Sequence, residues 1–278
     1  MKILITGGAG YIGSILVPTL LEQGHQVTVV DTFARGDTAL AMACPYDGFN
    51  PIRYDCRDER LLDDLVPQHD VLIPLAALVG APLCKEDPIA AQTTNQDAVI
   101  ALAMRASTSQ ILVYPTTNSG YGLGQGDTFC TEETPLNPIS LYGVTKMAAE
   151  NAVLDKQGIS FRLATVFGMA PRMRLDLLVN DFTWRAVTDR AVVIFEGHFK
   201  RNFIHVRDVV KGFMHGIENY ESMRSNAYNL GLSSANLSKL ELCAKIQEFV
   251  PSFTYLEALI GEDPDKRNYI VSNEKLEA

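Results

Sequence analysis

The sequence predicts a doubly wound α/β fold, a parallel sheet covered on both faces, followed by a smaller α/β lobe. Three observations carry this. A glycine-rich turn sits directly behind an apolar strand. Apolar strand-like runs alternate with helical ones through the first 165 residues, and beyond about residue 166 that regularity fades. Continuous apolar strands joined by helices need cover on both faces, which is the parallel arrangement.

The first strand is Lys2-Ile3-Leu4-Ile5-Thr6, running into Gly7-Gly8-Ala9-Gly10-Tyr11-Ile12-Gly13. Behind the turn, Ile15, Leu16, Leu20 and Leu21 recur at helical spacing,. Such a unit is built to hold a dinucleotide. Gly7 or Gly8 permits the tight turn, Gly10 lets the backbone approach a pyrophosphate, and Gly13 lets the helix pack close to the strand. The helix N-terminus adds free N–H groups and a positive dipole end. Pro18 falls inside that helix and should kink it mildly,. Gln26 to Asp31 reads as the second strand and ends in an acid 18 residues after Gly13, the context a Rossmann-type unit requires,.

The alternation continues with a strand at 51–54, a helix at 58–66 and a strand at 70–73. A helix at 88–106, a strand at 110–114, a helix at 141–156 and a strand at 159–163 follow. Residues 115–140 are rich in Gly, Thr, Asn and Pro and follow the carboxyl end of a strand, where open α/β sheets keep their chemistry,. Later come a helix over 175–189, a strand at 192–195, a strand and helix over 202–218, and a helix near 238–248. The chain therefore divides into a dinucleotide-binding domain over 1–165 and a substrate lobe over 166–278, with no flexible linker between them. The last seven residues read as a capped helix only begun, as if the C-terminus were clipped.

Bulk properties narrow the function. At 278 residues there is ample core, and 47% hydrophobic with 21% charged residues is ordinary for a soluble enzyme,. A net charge of −9 argues against nucleic-acid or anionic-membrane partners,. No apolar run reaches membrane length, and strand one begins too early for a signal peptide. Cys44, Cys56, Cys84, Cys130 and Cys243 are scattered without metal-site spacing, so they read as reduced thiols in a cytoplasmic protein with no metal,.

Tyr142-Gly143-Val144-Thr145-Lys146 places a phenol and an ammonium on one helix face,. Tyrosine, with a reference pKa of about 10, is a poor base at neutral pH. A neighbouring ammonium and a positive nicotinamide ring both favour the phenolate and bring it toward working range.

Together with the loop Tyr114-Pro115-Thr116-Thr117-Asn118-Ser119-Gly120-Tyr121-Gly122, this set resembles the extended short-chain dehydrogenase/reductases, the NAD-dependent nucleotide-sugar epimerases and dehydratases. The resemblance runs nearly end to end. It includes the glycine turn, Asp31, Asp55-Cys56, Leu75-Ala76-Ala77, Asn95, Thr117, Tyr142-x-x-x-Lys146 and Arg201-Asn202-Phe203-Ile204-His205-Val206. It implies NAD as cofactor, held by Gly7, Gly10, Tyr11, Ile12, Gly13, Asp31, Asp55, Cys56, Leu75, Ala76, Ala77, Asn95, Tyr142 and Lys146. Asp31 would take the adenosine ribose hydroxyls. Thr117 takes the place of the family's catalytic Ser/Thr, Tyr142 of the base, and Lys146 of the residue that lowers its pKa and holds the nicotinamide ribose. Thr117, Asn118, Ser119, Asn180, Arg201 and Arg267 would face the substrate, the arginines gripping its diphosphate. His205 reads instead as a core histidine and Cys84 as a small buried thiol.

Family 4,6-dehydratases carry Asp-Glu directly after the catalytic Thr, whereas Asn118 and Ser119 stand there in this chain. Neither does that proton work at neutral pH, so loss of water is not expected. A narrower resemblance, over 75–84, 117–122, 171–180 and 261–267, is to the GDP-heptose-oxidising dehydrogenases of bacterial capsule biosynthesis. The expected reaction is oxidation of a nucleotide sugar, of GDP-heptose type, at C4. A 4-epimerase passing through the same keto sugar is the alternative, with a non-catalytic NAD sensor behind it. The family also implies a homodimer, built on the helices near 88–106 and 141–156.

Overall fold

The computed structural model describes residues 1–124, 128–258, 260–261 and 268–278. The first half runs β1 (Lys2–Thr6), α1 (Gly13–Glu22), β2 (Gln26–Asp31), β3 (Phe49–Arg53), α2 (Glu59–Leu65), β4 (Val71–Pro74), α3 (Ala81–Glu86), α4 (Pro88–Gln92), α5 (Ala98–Arg105), β5 (Ile111–Thr117), β6 (Phe129–Cys130) and α6 (Leu141–Asp155). Then come β7 (Ile159–Leu163), β8 (Thr165–Phe167), α7 (Leu178–Thr188), β9 (Ala191–Ile194), β10 (Lys200–His205) and α8 (Val206–Glu218). The chain closes with α9 (Tyr220–Met223), β11 (Asn226–Leu230), β12 (Asn236–Ser238), α10 (Lys239–Phe249), β13 (Thr254–Glu257), β14 (Ile270–Val271) and α11 (Glu274–Glu277).

Seven strands form one parallel sheet in the order β11-β7-β5-β4-β1-β2-β3. The order reverses between β1 and β4, so the crevice for a ligand opens outside their carboxyl ends. Alternation along the strands fills both faces. Ile3, Ile5, Val71, Ile73, Val113, Ile159 and Phe161 pack with α1 and α8, while Leu4, Leu72, Leu112 and Tyr114 pack with α2, α5 and α6. A third core joins α7, α10 and β9 around Phe182, Ile194, Phe203 and Phe253.

Caps set several helix starts. Asp58 accepts the N–H groups of Arg60 and Leu61 ahead of α2, Ser140 accepts that of Gly143 ahead of α6, and Ser238 with Glu241 forms a capping box on α10,. The helix expected over 88–106 is two helices joined by a π turn, Thr93–Asp97, which carries Asn95. Pro18 lies within α1 as expected.

The expected division at 165/166 is crossed by the chain. β11 returns as the edge strand beside β7, and α8 covers the sheet face next to α1. The remaining strands form small sheets of their own, β8-β10-β12, β9-β13 and β6-β14. No described helix is long and apolar enough to cross a membrane.

Gly13 fixes how closely α1 approaches the first turn, because a Cβ there would run into the Gly8 carbonyl. Gly13→Ala is therefore expected to cost roughly 1–3 kcal/mol, the usual penalty of forcing volume into a packed site. Urea unfolding measures it, and an unchanged midpoint would show that the turn has slack.

Candidate active site

The β1–α1 turn forms the floor of the crevice. Gly7 has φ +74° and donates its N–H to Val30 O at 2.8 Å; a Cβ on it would collide with the Ala76 backbone. The turn is thus pressed against the Leu75-Ala76-Ala77 segment that leaves β4. α1 opens at Gly13 behind Tyr11 and Ile12, and no side chain caps it. Ser14 and Ile15 donate their N–H groups back to Gly10 O and Ile12 O, and the positive dipole end of a ten-residue helix with no side-chain cap suits a pyrophosphate,. Asp31 ends β2 with Oδ2 accepting the Ala9 N–H and Oδ1 the Phe33 N–H, each at 2.9 Å. Its carboxylate is thereby set at the rim of the same turn.

Further round the rim, the Arg57 guanidinium hydrogen-bonds Asp55 and holds its carboxyl below the usual carboxylate range. Burial pushes the neighbouring Cys56 thiol up to about 12, so it remains protonated. Asn95, fully buried in the π turn, accepts the Leu78 N–H at 2.8 Å and donates to Leu78 O at 2.9 Å. It works by fixing the segment after β4 rather than by presenting its amide to the crevice. Cys84 is the small buried thiol expected, donating to Leu78 O.

Lys146 lies on α6, one turn beyond the half-buried Tyr142, and is 3% exposed. Its Nζ sits 4.1 Å from the centroid of the Tyr114 ring of β5, a cation–π contact that returns part of the desolvation cost. Burial lowers the Lys146 pKa to about 7, against an opposing pull from Glu150 and then Cys84. The Tyr114 phenol, itself fully buried and driven well above its ordinary pKa by that burial, donates to Asn95 O.

Thr117 ends β5. Its Oγ1 accepts the Ser119 N–H at 3.1 Å and donates to Ser119 Oγ at 3.0 Å, which starts the tight turn Asn118–Tyr121. That turn seats on α6, with Gly120 against the Met147 side chain and the Ser119 carbonyl beside Gly143. Asn118 is 1% exposed, and neither Nδ2 nor Oδ1 has a hydrogen-bond partner. A buried amide left open in this way costs stability unless a ligand or water completes it.

The substrate-side residues do not all meet. Asn180 on α7 accepts the Gly168 N–H, and it donates to Arg174 O at 2.9 Å and to the Tyr11 hydroxyl at 3.2 Å. Tyr11 in turn donates to Gly168 O. Asn180 therefore ties the 168–174 loop to the β1–α1 turn. Arg201 is buried in the three-stranded sheet β8-β10-β12, 5.9 Å from the Tyr269 ring centroid, with a bond to Lys200 O. Arg267 lies outside the described residues. His205 caps α8 by accepting the Arg207 N–H and packs edge-on to Phe167, a structural histidine as expected.

Sequence reasoning missed two charged groups here. Arg174, forked onto Asp176 at 2.7 and 2.6 Å, binds its proton more tightly than usual, first through that pair and further through the phenols of Tyr142 and Tyr11. The second is Glu150, paired with Arg162 beneath the site. Its only signal was position, eight residues after Tyr142 and four after Lys146 on the same helix face.

Comparison with known proteins places this geometry. The model of the NAD dependent epimerase/dehydratase family matches residues 3–231. A UDP-glucose 4-epimerase of Corynebacterium glutamicum is 28% identical over 274 residues, covering 88% of this chain and 80% of the relative. Protein CapI of Staphylococcus aureus is 30% identical over 227 residues, covering 76% and 67%. The crystal structure of UDP-glucuronic acid 4-epimerase from Bacillus cereus, in complex with UDP-glucuronic acid and NAD, superposes with a TM-score of 0.82. That pair is 26% identical, with 99% of this chain and 91% of the other covered.

The Lys146 environment makes a stability prediction. Its pKa is lower folded than unfolded, so the unfolded chain binds the extra proton between about 7 and the ordinary lysine value,. The cost of burying Lys146 is full below that window and fades as pH rises through it. Lys146→Met should therefore be the more stable protein in urea at pH 7, with the gap narrowing by pH 10. A gap independent of pH would show that Lys146 is not desolvated.

Proposed function

The chain belongs to the NAD dependent epimerase/dehydratase family, and on that premise we propose that it oxidises the C4 hydroxyl of a nucleotide sugar to a 4-keto sugar. The observation that carries this reading is the phenol–ammonium pair on α6, with Lys146 buried against Tyr114 one turn beyond Tyr142. NAD, when bound, accepts the hydride from C4. Tyr142 as phenolate takes the proton of the C4 hydroxyl, and the Lys146 ammonium favours that phenolate. Thr117 holds the same hydroxyl in line. Gly7, Gly10 and the start of α1 hold the pyrophosphate, and Asp31 takes the adenosine ribose, where a 2′-phosphate would meet its charge. Asp55 and Cys56 border the adenine side, while Leu75, Ala76, Ala77 and Asn95 shape the channel between.

Residues beyond 166, β11 and α8 apart, serve as the substrate lobe in this reading. Arg201 and Arg267 are its diphosphate ligands. Asn118 faces the sugar, because a hydroxyl both donates and accepts and so completes both orphaned amide atoms,. The substrate we favour is a GDP-linked heptose, on the resemblance over 75–84, 117–122 and 171–180. A 4-epimerase is the second reading, favoured by the C. glutamicum and B. cereus relatives. Self-association as a homodimer fits the exposed Ile89, Met104 and Val144 on α4, α5 and α6.

Tyr142→Phe is expected to keep NAD binding and lose about 10²–10⁴-fold in turnover, the usual share of general acid–base catalysis. Retained turnover removes Tyr142 from the base role. Incubation with UDP-, dTDP-, CDP- and GDP-sugars, GDP-heptose included, tests the product. Loss of two hydrogens with reduced nicotinamide supports the dehydrogenase, and unchanged mass with inverted C4 the epimerase. Loss of water would overturn both.

A further inference from the structure

Glu150 is 1% exposed and stands one helical turn beyond Lys146, away from Tyr142. Its carboxylate is fully engaged. Oε2 accepts from Thr116 Oγ1 at 2.8 Å and from Ser160 Oγ at 2.6 Å; Arg162 donates through Nε at 3.1 and 3.2 Å and through its terminal nitrogen at 2.7 Å. Arg162 is claimed from its other side by the Tyr121 hydroxyl and the Glu132 carbonyl, each at 3.1 Å. These bonds hold the carboxylate in one place between β5, β7 and α6.

A buried ion pair is a poor device for stability alone, since apolar groups of similar volume often serve as well. Its placement is what gives this one a use. Around Lys146, α6 contributes Glu150 and Tyr142, β5 contributes the neutral Tyr114 ring, and α3 contributes the buried thiol Cys84. Of the ion pair, it is Glu150 that shares the buried face of α6 with Lys146, four residues on, the spacing at which helical side chains are neighbours, and its charge acts on the ammonium,. Among these groups it is the carboxylate, the opposite in charge type to the ammonium.

We propose that Glu150 is a positioning residue that holds the desolvated Lys146 ammonium charged beside Tyr142, with Thr116, Ser160 and Arg162 aiming its carboxylate. The proposal rests on the reading of Tyr142 and Lys146 given above. It also links the reacting groups to one another. Thr116 precedes Thr117, and Arg162 holds Tyr121 at the far end of the Thr117 turn. One carboxylate thus serves both the ammonium and the strand end that presents the threonine.

The test titrates Lys146 directly in folded protein without substrate, using lysine labelled with ¹³C at Cε and Lys146→Met to assign the resonance. Glu150→Gln keeps the shape and removes the charge, so the proton affinity of Lys146 should fall about ten-fold, the low end of what an adjacent opposite charge supplies. Glu150→Gln with Arg162→Met removes both charges. Its Lys146 midpoint should lie between the single variant and the parent, and still below the parent. That second protein decides the matter if the single variant does not fold. A Lys146 midpoint equal to the parent's in the folded variants would overturn the proposal and leave Glu150 a packing residue. Because the titration involves no turnover, it fails independently of the assignment of Tyr142 as base.

Discussion

An ammonium kept away from water governs the architecture of this site. Lys146 is 3% exposed, and burying a charge costs several kcal/mol unless neighbours return it,. The return comes from two strands and a helix at once. Tyr114 on β5 offers its ring face, Glu150 on α6 offers opposite charge, and Ser160 and Arg162 on β7 hold Glu150 still. None of this survives a slip in register. Tyr114 pairs with Ser160 and Thr116 with Arg162 along β5–β7, so a shift of one residue would turn the hydroxyls and guanidinium to the other face,. The parallel sheet is therefore the frame that lets a lysine lose its water and remain useful.

Much of that frame was legible in the sequence, because period and turn chemistry are local. β1, α1, β2 and the strand at 159–163 are written in apolar repeats and glycine, and they lie where the repeats put them. The π turn was not legible, since Thr93-Thr94-Asn95-Gln96-Asp97 carries no apolar residue whose spacing could show the helix widening there. β11 escaped because Asn226-Ala227-Tyr228-Asn229-Leu230 is short, shows no strand alternation, and carries asparagines, one of which has partners far away in sequence. Asn229, wholly buried, accepts from the Tyr121 hydroxyl and donates to Ser272 O. Long-range satisfaction of that kind leaves no periodic trace. Glu150 is the same case inside the site, for an acid on a helix ordinarily reads as a solvated charge.

One small cluster ties the segment 168–180 to the glycine turn. Tyr11 belongs to the β1–α1 turn and Asn180 to α7, yet each hydrogen-bonds the Gly168 backbone and they bond each other. Arg172 adds a backbone bond to the Ser14 hydroxyl on α1. The 168–176 loop is thereby registered against the cofactor turn, and Arg174 is carried to the Tyr142 side of the crevice.

Asn118 sets the direction of the proposed chemistry. A ketone at C4 acidifies the hydrogen on the neighbouring carbon, so a 4-keto sugar is one proton transfer from losing water. That transfer needs a base, and the departing hydroxyl needs an acid. An amide is neither at neutral pH, and a serine hydroxyl is too weakly acidic and too weakly basic to replace the pair. In the reading proposed above, Asn118, with both its amide atoms buried and open, is a partner that binds the sugar and does not transfer protons. The keto sugar then has two fates under this reading, release or return of the hydride. Which one prevails depends on how firmly the sugar is held while it is a ketone. An epimerase must let the ring turn over, and each bond to Asn118 opposes that rotation.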